Sequence, residues 1–335
     1  LSDQTIRRFG LGYSVESRFE LINYLRGKGF SLNDITQANL AVLTKKGTAI
    51  DRFNGRIMFP IIDLRGNVIA FGGRAIDSNE KAKYINTSDT PVFKKSNNLF
   101  ALNFAKNEKD EKLILVEGYM DVIALNQAGF KNTVATLGTA LTMEQAKLMA
   151  RYKNEVVICY DSDQAGQKAS ARAIDILRSS GVIVKVLTIP KGKDPDEFIK
   201  SYGDQGAPRF KQLLQSCDND IDYQLEKLKK VHNVQSSEGK VAYIKAASLI
   251  LAKIQNSLEK EVYAIKLAEF VGVDKSLIIN QIKKEKSKYN KINEKKEFKQ
   301  IYEKMIAKKD VINPQKGENL RAAIAEEALI AYLIN

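Results

Sequence analysis

Four short, largely apolar runs recur between residues 112 and 187: Leu113-Ile114-Leu115-Val116, Thr133-Val134-Ala135, Val156-Val157-Ile158-Cys159-Tyr160 and Ile183-Val184-Lys185-Val186-Leu187. Between them, residues 120–128, 143–152 and the stretch ending at Leu177 carry apolar positions at helical spacing, and Gly129 and Gly181 close two of these helices. Strands that do not alternate, each followed by a helix of about three turns, predict a parallel sheet covered on both faces.

Upstream the pattern differs. Residues 1–50 read as helical and surface-like, with Ser2 and Ser31 placed to cap helices. Arg56-Ile57-Met58-Phe59-Pro60-Ile61-Ile62 and Val68-Ile69-Ala70-Phe71 are β-rich runs joined by Asp63-Leu64-Arg65-Gly66-Asn67, which predicts a hairpin. Gly72-Gly73 fits neither a Walker pattern nor a dinucleotide fingerprint, and reads as a strand position where something approaches the backbone closely. After residue 202 the chain reads as helical, with Val241, Ile244, Ala247, Leu251 and Ile254 at helical spacing. Residues 283–309 hold eleven Lys and four Glu, which suits either a charged linker or one long helix. Asn313-Pro314-Gln315-Lys316-Gly317 is a break, and a further apolar helix begins near Asn319.

Composition narrows the chemistry. No apolar run approaches the ~20 residues of a membrane span. Cys159 and Cys217 are the only cysteines and His232 the only histidine, too few for a disulfide scaffold, a four-cysteine zinc site or His-based catalysis. The 53 Lys and Arg exceed the 40 Asp and Glu, a net charge of +13 that suits a polyanionic partner or a lysine-rich surface equally.

The acids carry the most information. Ligands of an open α/β sheet bind beyond the carboxyl ends of its strands. Glu117 follows the first run and Asp121 lies one helical turn on; Asp161 and Asp163 follow the third; Asp194 and Asp196 follow the fourth. A strand-end acid is often only a helix cap, but three pairs at equivalent positions point to a shared site. Crowded carboxylates call for a divalent cation, and all-oxygen ligands suit Mg²⁺, with Mn²⁺ acceptable and zinc not expected.

Val116-Glu117-Gly118-Tyr119-Met120-Asp121 and Tyr160-Asp161-Ser162-Asp163-Gln164-Ala165-Gly166 resemble the two signatures of the Toprim domain. Asp51-Arg52-Phe53, Phe71-Gly72-Gly73-Arg74, Lys83-Tyr84-Ile85-Asn86, Leu137-Gly138-Thr139-Ala140 and Gly192-Lys193-Asp194-Pro195-Asp196 resemble the bacterial DnaG-type primase family, in one register over about residues 1–286. The resemblance implies an α/β protein: a basic mixed α+β N-terminal subdomain (1–110), a Toprim parallel-sheet domain (111–202) and a helical subdomain (203–286). A charged linker (287–317) and the start of a truncated helicase-binding domain (318–335) are expected to follow. Because the chain starts at Leu1, it is expected to be a fragment, with the family's zinc-binding domain absent.

The resemblance further implies synthesis of RNA primers from NTPs on single-stranded DNA, by metal-dependent nucleotidyl transfer. Glu117, Asp161 and Asp163 are the expected catalytic residues. The same three with Asp194 and Asp196 are the expected metal ligands, and Asp121 supports them. Whether Glu117 is base or ligand stays open. Arg56, Arg74, Lys83, Tyr84, Asn86 and Lys94 are the expected nucleotide and DNA contacts, whereas Tyr119 reads as helix packing. Expected partners are template DNA, the RNA–DNA hybrid, the replicative helicase (its contact weakened here) and single-strand-binding protein. Alarmone nucleotides are a further family ligand, and the expected location is cytoplasmic, at the replication fork. A Toprim nuclease using the same acids, and a non-catalytic nucleic-acid binder, are the rival readings.

Overall fold

The computed structural model describes residues 1–190 and 194–307, together with 322, 324–326, 329 and 330. The chain forms two compact units that divide between Gln224 and Leu225. Among the described residues no helix is long and apolar enough to cross a membrane.

The first unit opens with α1 (Asp3–Phe9), where the Ser2 hydroxyl accepts the Thr5 N–H as the expected cap. Residues 1–50 are less uniformly helical than their pattern suggests. Strand β1 (Gly12–Ser14) follows α1, and helices α2 (Glu20–Gly27) and α3 (Leu32–Gln37) precede the small ribbon β2 (Ala41–Leu43) and β3 (Ala49–Asp51). Strands of three residues show no alternation, so only their pairing partners define them. Asp51 acts at a distance: its carboxylate accepts the N–H groups of Leu21 and Ile22, capping α2, whose own N-cap residue Phe19 makes no side-chain cap.

Strands β4 (Arg56–Ile62) and β5 (Val68–Ala75) form the expected hairpin and, with β6 (Tyr84–Asn86), an antiparallel sheet in the order β1-β4-β5-β6. The Asp63 carboxylate accepts the Arg65 and Asn67 N–H groups across the turn, and Gly66 takes a φ of 96° that favours glycine. Pro60 lies beyond the last β1 pair, Gly12↔Met58, where no ladder bond is missed. Helix α4 (Leu102–Ala105) leads into the second sheet.

That sheet contains β7 (Lys112–Val116), β8 (Thr133–Ala135), β9 (Glu155–Ile158) and β10 (Ile183–Val186), all parallel, with helices α5 (Tyr119–Gln127), α6 (Met143–Ala150) and α7 (Gln164–Ser179) between them. Helices α8 (Pro195–Ser201) and α9 (Gly206–Gln215) follow, then an antiparallel edge strand β11 (Asp218–Asn219) that the pattern did not suggest. The order is β11-β10-β9-β7-β8. Both faces are covered, as expected of non-alternating strands. Ile114 and Val116 join one core with Val122 and Ile123 of α5, while Leu113 and Leu115 join another with Met149 of α6 and Ile174 of α7. Arg178 of α7 grips the buried Asp220 through two nitrogens, at 2.5 and 2.9 Å.

Helix α10 (Asp220–Val231) spans the division between the units. The second unit continues with α11 (Ser237–Ala252), α12 (Ser257–Val271) and α13 (Lys275–Ala307). Its buried stripe is Tyr243, Ala247 and Leu251, with Leu267 and Ile278 from the other helices; Val241 is exposed instead. Of the two readings open for the lysine-rich stretch, the helical one describes it as far as Ala307. Residues 308–321, and most of the segment expected to begin a helicase-binding domain, lie outside the described residues.

Gly166 in the first turn of α7 gives a direct test of this packing. An added Cβ would sit 2.2 Å from the Asp161 carbonyl oxygen and 2.9 Å from Glu117 Oε1, whereas at Gly27 of α2 it would meet nothing within 4 Å. Gly27→Ala should be neutral or stabilising by up to about 1 kcal/mol, the ordinary helix effect. Gly166→Ala should instead destabilise by about 1–3 kcal/mol through overpacking, as read from urea unfolding.

Candidate active site

The parallel sheet turns back on itself between β7 and β9: β8 lies to one side of β7, and β9 and β10 to the other. Such a switch point leaves a crevice at the carboxyl ends of the strands. Glu117 directly follows β7, and Asp161 follows β9 after Cys159 and Tyr160. A cleft of about 540 Å³ opens here. Glu117, Asp121, Asp161, Asp194 and Asp196 line it on the sheet side, and Arg74, Lys83, Tyr84 and Asn86 line it from β5, β6 and the residue before β6. Residues far apart in sequence thus meet as the resemblance implied.

Several of the expected site acids also cap helices. Asp163 Oδ1 accepts the Gly166 N–H at 2.7 Å, Asp194 Oδ1 accepts the Glu197 N–H at 2.6 Å, and Asp121 Oδ2 accepts the Gly118 N–H at 3.2 Å. Glu117 Oε1 accepts the Asp161 N–H at 3.2 Å, tying the first acid to the third strand's end. Asp196 pairs with Lys200 one turn on, at 2.5 Å. Among the described residues the Asp161 carboxylate has neither a hydrogen-bond donor nor a cation beside it.

Crowding marks these groups electrostatically. Burial, then Asp194 and Asp161, push Asp121 up to about 7. Burial raises Glu117, and Asp161 and Asp163 raise it further; burial, Asp194 and Asp163 raise Asp161. Asp163 therefore acts on the site although it does not line the cleft. Among the described residues no three of these acids converge closely enough to clasp one ion as they stand. The donor set nevertheless fits a hard divalent cation. It is all oxygen, clustered and mutually repelling, and it includes the half-buried Asp161 carboxylate that no protein group satisfies.

The basic wall is held by a network around Asn86. Its Nδ2 donates to the Leu137 carbonyl at 2.8 Å, and since a carbonyl only accepts, Oδ1 must face Tyr119, whose hydroxyl donates to it at 2.8 Å. Arg52 Nη2 donates to the Asn86 carbonyl at 2.7 Å. Gly138 has a φ of 71° and lies so close that a Cβ there would stand 2.6 Å from Asn86 Nδ2. Tyr119 does serve packing, stacked 5.2 Å from the Phe59 ring and edge-on to Phe100, but its hydroxyl adds a role that the sequence reading missed. Its ring lies against Gly72, where a Cβ would come within 2.7 Å, and the Phe53 ring lies against Gly73 in the same way. The close approach expected at Gly72-Gly73 is therefore aromatic. Arg74 sits over the Tyr84 ring at 5.7 Å.

Two expected contacts are not brought to the cleft. Arg56 is 5% exposed; its Nη1 donates to the carbonyls of Gly73 and Ala82, and Nη2 faces Glu80 at 3.6 Å. A guanidinium so enclosed braces the antiparallel sheet. Lys94 is exposed and begins the turn Lys95–Asn97, away from the cleft lining. The cleft also recruits Gly138, from the quoted Leu137-Gly138-Thr139-Ala140 motif, and Thr136, Glu197 and Lys200, which carry no signal of their own beyond lying near quoted motifs.

Asp121 yields a pH test in metal-free protein. Its folded value lies above its unfolded one, so the stability tied to its neutral form is complete below about pH 4 and is lost as pH rises through about 7. Asp121→Asn should match wild type near pH 4 and exceed it at pH 8 by on the order of 2 kcal/mol in urea unfolding with EDTA, and added Mg²⁺ should narrow that gap.

Three family descriptions match in order: "DNA primase catalytic core, N-terminal domain" over residues 1–106, "Toprim-like" over 114–199, and "DnaB-helicase binding domain of primase" over 221–276. The last falls on α10–α12, upstream of the 318–335 segment expected to begin a helicase-binding domain. The DNA primase of Clostridium acetobutylicum is 40% identical over 303 residues, covering 89% of this chain and 50% of that protein. The DNA primase of Listeria innocua is 37% identical over 80% of this chain and 43% of its own length. The chain thus spans about half the length of the curated relatives it matches. The crystal structure of a DNA primase domain from Pseudomonas aeruginosa aligns with a TM-score of 0.74 at 34% identity, covering 84% of this chain and 89% of that one. A DnaG primase catalytic domain bound to single-stranded DNA aligns at 0.72 with 29% identity, over 83% and 87%. With three primase descriptions matching in order along the chain, and a primase domain matched at 34% identity over 89% of its own length, the chain belongs to the DnaG-type DNA primase family.

Proposed function

We propose that this chain is the polymerising core of a primase, making short RNA from NTPs on a single-stranded DNA template. One observation carries the reading: a single cleft has the repelling carboxylates Glu117, Asp161 and Asp194 on the sheet side and Arg74 and Lys83 opposite. That arrangement suits a triphosphate, whose oxygens need cations on every side. Family membership and the DNA-bound relative support nucleic acid as the substrate class.

In this reading Asp161, Asp163, Asp194 and Asp196 would hold Mg²⁺, or Mn²⁺ in its place, and of the two roles open to Glu117 it takes that of the base. When bound, the metal supplies charge neutralisation on the phosphates and lowers the cost of ionising the attacking hydroxyl. The chain's own groups do the rest. Glu117, half-buried in the cleft, takes the proton of the 3′-hydroxyl as that oxygen bonds to the α-phosphorus. The bond from the α-phosphorus to its bridging oxygen breaks, and pyrophosphate leaves along Arg74 and Lys83. Asn86, with one amide N–H unpartnered among the described residues, donates to the nucleotide's sugar or base, and the Tyr84 ring packs beside it. Asp121 orients the carboxylates around it, and Lys94 meets template phosphate outside the cleft. Arg56 has no part in nucleotide contact.

The template, the RNA–DNA hybrid, single-strand-binding protein and the replicative helicase are the proposed partners, with 221–276 as the segment nearest the helicase by family match. Alarmone nucleotides would compete at the same basic wall, and the cytoplasmic replication fork is the proposed place of action.

Incorporation of labelled ribonucleotides on single-stranded DNA tests the reading. Asp161→Asn should lower kcat by at least about 100-fold, the scale of losing one charge-stabilising group. Arg74→Ala should mainly raise KM for NTPs, about tenfold. Full activity in Asp161→Asn would overturn the metal assignment, and metal-dependent loss of the DNA in place of RNA synthesis would favour a nuclease.

A further inference from the structure

The antiparallel sheet has a second face. Successive residues of a strand point to opposite sides, so where Gly72 meets the Tyr119 ring, its neighbours Phe71 and Gly73 face the other way, Gly73 under the Phe53 ring. Met58, paired with Gly73 across the hairpin, shares that face. Here a cavity of about 510 Å³ opens between the sheet and helix α2, and it shares no lining residue with the carboxylate cleft. Its size falls within the range of small-molecule sites.

The lining is largely apolar, with four rings, Tyr13, Tyr24, Phe53 and Phe71, beside Leu25 and Met58. Tyr13 and Tyr24 are exposed, whereas Phe53 is buried and lies edge-on to Phe71 at 6.4 Å. The only charged residues lining the cavity are Glu20 and Asp51, although the chain as a whole carries a net charge of +13. Asp51 is the telling one. It is 5% exposed, its oxygens accept the Leu21 and Ile22 N–H groups, and among the described residues no cation pairs with it. The positive end of α2 offsets roughly half of its charge. Two backbone donors also leave about half of a carboxylate's four lone-pair positions open. The rings suit the same sign of charge. Lys28 lies over the Tyr24 ring at 5.6 Å and Arg52 over the Phe53 ring at 5.9 Å, yet neither cation lines the cavity.

We propose that this cavity binds a small organic cation, a guanidinium carried on an apolar body. The body packs on Phe53, Phe71 and Met58, and the cationic head lies toward Asp51 and Glu20. Charge complementarity selects this class: a neutral molecule of the same shape fills the apolar surface but leaves the buried carboxylate unmatched, and an anion such as a nucleotide phosphate meets only repulsion there. The cavity is thereby a ligand site separate in place and in chemistry from the cleft that holds nucleotides.

Benzylguanidine and its neutral counterpart benzylurea test this, by calorimetric titration of the whole chain. Wild-type protein should bind the guanidine at least about tenfold more tightly than the urea. Asp51→Asn removes the charge and keeps one oxygen, and should lose most of that preference. Because this change also alters the cap of α2, Met58→Lys provides a second variant: it puts an ammonium inside the cavity, leaves the cap intact, and should abolish guanidine binding. Asp161→Asn, in the other cleft, should bind the guanidine as wild type does. Equal binding of the two probes, or no binding of the guanidine at millimolar concentration, would overturn the site. So would binding that Asp161→Asn loses and Met58→Lys retains, which would place the cation among the carboxylates of the cleft instead.

Discussion

Mutual repulsion among carboxylates is the constraint around which the first unit is organised. A parallel sheet delivers the residues after its strands to one edge, and here those residues are Glu117, Asp161 and, after β10, Asp194. Burial first, and then this repulsion, makes Asp121, Glu117 and Asp161 all hold their protons more tightly than free carboxyls do. The helices around the edge relieve part of it. Asp163, Asp194 and Asp121 each accept a backbone N–H at a helix start, so capping and site-building are done by the same side chains. What remains unrelieved, above all at Asp161, suits a cation from outside the chain.

The opposite wall depends on a different kind of constraint, close packing. Gly72 and Gly73 let two aromatic rings lie on the strand that carries Arg74, and Tyr119 belongs to the helix that follows Glu117. Its hydroxyl and the Leu137 carbonyl hold the Asn86 amide from two sides. The antiparallel sheet is thereby registered to the parallel one through hydrogen bonds with only one donor–acceptor assignment. A cation on the first sheet can then face an anion on the second at a distance that a substrate spans.

Much of this was legible in the residues. Runs such as Leu113–Val116 are buried on both faces, so their strand character survives without context, and the acids after them were placed by topology alone. Strands β1, β2, β3 and β11 were not legible, because two or three residues outside a regular strand–helix rhythm are marked as a strand only by the partner they pair with. Arg56 illustrates a different limit. A basic residue beside a motif reads the same whether its guanidinium meets a phosphate or two carbonyls of its own sheet, and only burial separates the cases. Tyr119 was read as packing, which is true of its ring. Its hydroxyl found Asn86 thirty-three residues away in sequence, a pairing that no local pattern encodes.

The central claim is that the clustered carboxylates form a divalent-cation site. Binding of Mn²⁺ to the whole chain at neutral pH, followed by electron paramagnetic resonance, tests it most directly. The account predicts a bound signal for wild type that Mg²⁺ displaces and that Asp161→Asn loses, while Arg56→Lys retains it. Equal Mn²⁺ binding by wild type and Asp161→Asn would contradict it.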